Sequence, residues 1–164
     1  MFMVIRHADT YKDQSINVEN FMNVLNKQIN LIVKNIKKYK IKDIKIMSSP
    51  FERCYDTALI ITNSINLLLK TNYIVEKNEH LTRWNKKEED RKQSKIRSYE
   101  YGKNMSLDNS TLTIMITHSS IIPSLCAGLS KMDLRVFKKK YNENLNNCGV
   151  SFIKDELKFY NKMN

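Results

Sequence analysis

Two arginines and two histidines carry the chemistry that this sequence can support. Arg6 and His7 follow the apolar run at residues 2–5, in the stretch VIRHADT. Arg53 stands just inside a segment that follows a second apolar run, IKIMSS. His118 follows a third, TLTIMIT. Guanidinium groups clamp tetrahedral anions through planar pairs of donors, and imidazole takes or gives a proton near neutral pH. Each residue also has a plainer reading. Arg6-His7 as a surface pair, Arg53 paired with Asp56 or Glu52, and a locally hydrogen-bonded His118 are all ordinary.

The surrounding elements decide how these residues relate. Residues 2–5 read as a buried strand. Val18, Phe21, Leu25, Ile29, Ile32 and Ile36 recur every three or four positions, which predicts a long amphipathic helix. Residues 44–49 read as a second strand. Ser49, Pro50 and Glu52 then form a capping-box pattern that starts a helix with Phe51, Cys54, Tyr55, Ala58, Ile65 and Leu69 along one stripe. NYIVE (72–76) is a third candidate strand. Residues 85–110 are polar, with only Ile96, Tyr99, Tyr101 and Met105 offering an apolar side, and predict a short cap of loop plus one modest helix. TLTIMIT (111–117) is the clearest strand, nearly uninterrupted as in a strand covered on both faces. Ser119 and Ser120 are placed to cap a helix running to about Leu129, followed by a helix near 134–141 and a terminal hairpin.

Strands and helices alternate, so the expected fold is α/β: a three-layer α/β/α sandwich around a mostly parallel sheet, in one domain over 1–164. In such sheets ligands bind outside the carboxyl ends of the strands. All four residues fall at that edge, which predicts that they converge on an anion, most simply a phosphoryl group.

In order along the chain, VIRHADT, SSPFERCYDTA and MITHSSII resemble the motifs of the histidine phosphatase (phosphoglycerate mutase-like) superfamily. Ala8 stands where that family usually has Gly, and Ser119 where Gly is common. NNCGVSFI is similar to the family's closing strand. The resemblance implies a phosphoglycerate mutase-like fold and a metal-independent phosphatase needing no cofactor. It implies His7 as the nucleophile, forming a phosphohistidine that water cleaves, and Arg6, Arg53 and His118 around the phosphoryl oxygens. The chain has only three histidines, two of them assigned to phosphate, which leaves little for a metal site.

One part of the pattern departs. The family's proton-donating Glu comes two residues past a Leu. Here VEKNEHLTRWN places Arg83 two residues past Leu81, and Ser119, not Asp, follows His118. Glu79 is the first candidate for the missing acid, with His80 and Glu76 behind it. Glu79 and Glu76 read equally well as solvated loop charges, and Arg83 as a substrate-binding cation or a surface residue. Without a general acid, aryl phosphates and phosphohistidine-type substrates should turn over faster than alkyl phosphates. The expected substrate is a small phosphorylated molecule or a phosphoprotein, phosphohistidine among the candidates. A weakly active or inactive phosphate-binding protein is the alternative.

Composition supports this reading more than it extends it. The 164 residues are 41% hydrophobic and 27% charged, as in an ordinary globular protein. The net charge of +11 suggests a nucleic-acid partner, yet the lysines are dispersed and not interleaved with stacking aromatics, so none is expected. Cys54, Cys126 and Cys148 form no close pair, consistent with a reducing cytoplasm. No apolar run approaches membrane-spanning length, and MFMVIRHADT has no leader-like pattern. Three glycines and two prolines are few, so loops are expected to be short or built from other residues.

Overall fold

The computed structural model describes every residue except 12, 14, 85–88, 142–147, 155, 163 and 164. Residues 85–88 of the expected cap and 146–147 of the closing motif therefore lie outside the described residues. The element order is β1 (Phe2–Arg6), α1 (Val18–Tyr39), β2 (Asp43–Ser48), α2 (Glu52–Leu69), β3 (Val75–Lys77), a 3-10 turn (Glu79–Leu81), α3 (Arg91–Asn104), β4 (Thr111–Thr117), α4 (Ile122–Leu129), α5 (Leu134–Lys140), β5 (Val150–Lys154) and β6 (Glu156–Lys162).

The strands form one sheet in the order β3-β2-β4-β1-β5-β6. The pairs β3–β2, β2–β4 and β4–β1 are parallel, while β1–β5 and β5–β6 are antiparallel. Side chains alternate between the faces of a strand, and β1 shows why its apolar run is continuous. Met3 and Ile5 pack with Phe21, Leu25 and Ile29 of α1 and with Ala58 and Ile61 of α2. Phe2 and Val4 pack on the other face with Leu125 and Leu129 of α4 and Phe137 of α5. Helices thus cover both faces, giving the α/β/α layers expected. Among the described residues, no helix is long and apolar enough to cross a membrane.

The sheet register positions the candidate residues. Arg6 lies opposite Thr117, and Ser48 opposite Ile116. The ends of β1, β2 and β4 therefore fall level, so that His7, Ser49 and His118 leave the sheet at one edge.

Several local expectations need correction. The capping box at Ser49 does not form: α2 begins at Glu52, and its N-cap, Phe51, makes no side-chain cap. Ser49 Oγ turns to His118 Nε2 at 3.0 Å and accepts only a long 3.4 Å bond from the Phe51 amide. Ser119 and Ser120 likewise do not cap α4. The chain first wraps around His118, whose carbonyl accepts from the Ile121 and Ile122 amides at 3.1 and 3.3 Å, and the helix starts at Ile122. The third strand is shorter and later than expected. Asn66 holds both backbone groups of Tyr73, at 2.8 and 2.9 Å, and keeps that residue out of the sheet.

Helix α3 buries an unexpected face. Ile96 is half exposed, whereas Ser94, Ser98 and Gly102 are buried. Spaced four apart, these small residues let α3 approach α4 closely. A Cβ on Gly128 would sit 2.1 Å from the Tyr99 carbonyl, and one on Gly102 would sit 2.7 Å from that of Leu125. With glycine spent there, lysine closes helices: Lys40, Lys70 and Lys131 adopt φ of 53°, 53° and 54° just past the ends of α1, α2 and α4.

Candidate active site

The four residues meet at the β1–β4–β2 edge. The His7 and His118 rings lie 5.4 Å apart, edge to face. Arg53 Nη2 is 3.4 Å from His118 Nδ1. Arg53 and His118 are almost fully buried, and Arg6 and His7 are partly so. Burial lowers the pKa of both guanidinium groups from the usual arginine value, and the neighbouring Arg83 adds to this at Arg53.

The hydrogen bonds define the state of each imidazole. His7 Nδ1 lies 2.6 Å from the Ala8 carbonyl. A carbonyl only accepts, so Nδ1 carries the proton and Nε2 keeps its lone pair. Burial, then the charges of Arg53, Arg6 and Arg83, push the pKa of His7 down to about 4, against the opposing pull of the Ala8 carbonyl. His118 is the mirror case. Arg53 only donates, so Nδ1 accepts and Nε2–H faces Ser49 Oγ. Burial first, then His7, Arg53 and Arg83, take its pKa down to about 2. Both rings are neutral near pH 7.

Local sequence explains the fixed geometry. The Ala8 amide donates to Thr57 Oγ1 at 3.1 Å, and that hydroxyl donates to the Arg53 carbonyl at 2.6 Å. Thr57 thus ties the turn after β1 to the first turn of α2. Ala8 and Cys54 are fully buried beneath the site, and Cys54 Sγ lies 3.4 Å from His118 Nε2. Burial drives that thiol up to about 12, so it stays protonated.

The residues considered for the missing acid separate. Glu76 is on β3, ion-paired to Lys45 at 3.0 Å, with both side chains about half exposed. Glu79 and His80 are exposed on the 3-10 turn, and the His80 ring stacks on Tyr101 with centroids 4.6 Å apart. Arg83 reaches the site: its guanidinium lies 5.3 Å from the centre of the Phe51 ring, and its charge is felt at His7, Arg53 and His118. Phe51 itself stands edge-on to His118 at 5.2 Å. A pocket of about 560 Å³ opens beside Phe51, with Glu79, His80, Arg83, Glu89 and Arg97 in its wall.

Sequence reasoning missed Arg97, which organises this wall. It donates to the carbonyls of Glu79, His80 and Thr82 at 3.0, 2.8 and 3.0 Å, and pairs with Glu89 at 2.5 Å. Thr117 adds a second anchor, donating at 2.6 Å to the Leu81 carbonyl. No sequence signal marks Arg97, because three of its partners are backbone carbonyls fifteen to eighteen positions away. Ser49 and Thr57 lay inside a quoted motif, where their hydroxyls could have been matched to the neighbouring turns. Phe51 lay there too, without a pattern of its own.

The sequence matches no family model and no curated protein. Solved structures do match. A mycobacterial glucosyl-3-phosphoglycerate phosphatase superposes with a TM-score of 0.63 at 14% identity, covering 98% of this chain and 97% of the other. A phosphoserine phosphatase from Entamoeba histolytica gives 0.61 at 15% identity, covering 98% and 96%. A phosphoglycerate mutase from Plasmodium falciparum gives 0.56 at 14% identity, covering 97% and 88%. The described sheet, its flanking helices and this likeness over nearly the whole chain show the phosphoglycerate mutase-like fold that the motif resemblance implied.

Proposed function

We propose that the protein is a phosphoric monoester hydrolase that works through a phosphohistidine on His7 and needs no metal ion. The observation that carries this reading is the state of His7. Its Nδ1 proton is committed to the Ala8 carbonyl, its pKa is about 4, and three arginine charges act on it. A neutral imidazole with a free Nε2 lone pair, surrounded by cations, is suited to attack a phosphoryl dianion.

In the first step Nε2 attacks phosphorus and the P–O bond to the leaving group breaks. The leaving oxygen keeps the electron pair and takes a proton. Arg6 and Arg53 bind the transferred oxygens, whose charge is spread over three atoms in the transition state, and His118 completes the set. In the second step water attacks phosphorus and the N–P bond breaks. One water proton remains with the phosphate and the other is released, leaving neutral His7. Glu79 is the proposed donor to the leaving oxygen, since the other carboxylate of the pocket, Glu89, is engaged by Arg97. Its substrates are small phosphorylated molecules or phosphoproteins.

The test is turnover of p-nitrophenyl phosphate in the presence of a metal chelator, with acid quench to trap the phosphoenzyme. Both signals should fall by at least ~10³-fold in His7→Ala. Unchanged turnover in that variant excludes the mechanism. Phosphate binding with flat turnover across aryl, acyl and alkyl phosphates leaves a binding protein instead.

A further inference from the structure

We propose that Arg83 and Phe51 form a seat for a second anionic group, so that the protein selects phosphoryl compounds whose leaving portion carries its own carboxylate or phosphate. This rests on the phosphatase reading of the same site and names its substrate class.

The position is the first argument. Phe51 touches the phosphoryl cradle on one side, 5.2 Å from His118 and 5.9 Å from the Arg53 guanidinium. Arg83 lies 5.3 Å from the same ring and in the wall of the pocket. A leaving group extending from a phosphoryl group held by Arg6 and Arg53 passes Phe51 and then meets Arg83. The charge of Arg83 is felt at His7 and His118, which also places it next to the cradle.

The second argument is how the pocket's charges are spent. Arg97 is committed to Glu89 and to three carbonyls. Among the described residues, Arg83 has no carboxylate partner, and its guanidinium lies over the Phe51 ring. A guanidinium held over a ring still has N–H donors for a carboxylate or phosphate, which they can engage in pairs. The third argument is chemical. A guanidinium offers N–H donors and no acceptor. What it supplies is attraction for an anion. Phe51, over a third exposed, gives the rest of the leaving portion an apolar face.

Phosphonates test the seat without turnover, because their C–P bond is not cleaved. Phenylphosphonate, 3-carboxyphenylphosphonate and 1,3-phenylenebisphosphonate differ only in the second group. By calorimetry at physiological salt, the two charged probes should bind at least ~10-fold tighter than phenylphosphonate, the size of one good charge-assisted pair. Whichever of them binds more tightly identifies the leaving-side anion. Arg83→Met should cut the advantage below ~3-fold, and Arg83→Lys should retain part of it. General attraction by a chain of net charge +11 would survive in Arg83→Met, so that variant separates the seat from bulk charge. Equal affinities in the native protein, no binding of any probe, or an advantage that persists in Arg83→Met would overturn the proposal. Turnover of phenyl phosphate by the native protein and by His7→Ala judges the phosphatase reading separately. A protein that prefers the charged probes but hydrolyses nothing keeps the seat and loses the phosphatase.

Discussion

Arg6, His7, Ser49 and His118 stand at the level ends of three hydrogen-bonded strands, with Arg53 in the first turn of the helix that follows β2. Glu79, His80 and Arg83 stand on a 3-10 turn and the chain beyond it, anchored by the buried side chain of Leu81, one guanidinium from α3 and one hydroxyl from β4. The first group is placed by sheet register, and moving it would mean breaking the core. The second hangs on one buried side chain and a few polar contacts, and its exposed residues can change without disturbing the fold. A protein built this way keeps its reacting group fixed while its leaving-group side remains open to variation.

The contrast can be broken in four places. Glu79→Gln should have the largest effect and act on one side only. It should slow alkyl phosphates by about 10²-fold and p-nitrophenyl phosphate by less than ~3-fold, since a general acid matters most for a poor leaving group. Steady-state rates on the two substrates check this, and equal slowing or none would remove Glu79 from the chemistry.

Gly128→Ala comes next. Its Cβ would press on the Tyr99 carbonyl, forcing α3 away from α4 at a cost of about 1–3 kcal/mol in unfolding free energy. Urea denaturation reads that cost. The same variant should lower kcat/KM while the inhibition constant of inorganic phosphate stays within ~3-fold, because α3 carries Arg97 and the cradle does not depend on it.

Arg97→Ala should reproduce the second half of that result without the first. A drop of about 10-fold in kcat/KM is expected with phosphate inhibition nearly unchanged, and Arg97→Lys should recover little because lysine cannot span three carbonyls and a carboxylate. Equal losses of phosphate affinity and turnover would mean that the two sides are not separable.

Acid titration gives the most gradual effect. His7 and His118 have pKa values near 4 and 2 in the folded protein, below the ordinary 6.5. Between pH 6.5 and 4 the unfolded chain binds protons at both rings that the folded one rejects. Stability is therefore full above pH 6.5 and falls as the pH drops, by up to about 1.4 kcal/mol per pH unit for each ring. Below pH 4 only His118 continues the loss, down to about 2. His118→Asn should flatten the urea midpoint against pH, and NMR should find His7 titrating near 4.

The strand-tip side was legible in the sequence because its information is local and ordered. Continuous apolar runs mark strands buried on both faces, and the chemistry follows each run directly, as in VIRH and MITH. The register then does the assembly. What sequence reasoning placed wrongly involved partners distant along the chain. Ser49 reads as a helix cap until His118, sixty-nine positions away, is known to be its partner. Of the expected apolar side of α3, Tyr99, Tyr101 and Met105 do pack on the core and Ile96 does not, while the inward stripe of Ser94, Ser98 and Gly102 has no hydrophobic signal. Its meaning depends on the glycine of another helix. Arg97 looks like any surface charge until the carbonyls it gathers are seen.

The lysines that end the helices give the basic composition a second meaning. Glycine is the usual residue at such positions, and its codons are rich in G and C, whereas lysine is encoded by AAA and AAG. In a chain with three glycines, Lys40, Lys70 and Lys131 take the left-handed turn and accept its modest backbone cost. Each also puts a positive charge at the negative end of a helix dipole, which offsets part of that cost. Lys131 goes further, reaching from the end of α4 to the carbonyls of Lys103 and Met105 at the end of α3. Three of the positive charges behind the basic isoelectric point are thus tied to chain reversal, and a nucleotide bias in coding can reach the electrostatics of a protein through its turns.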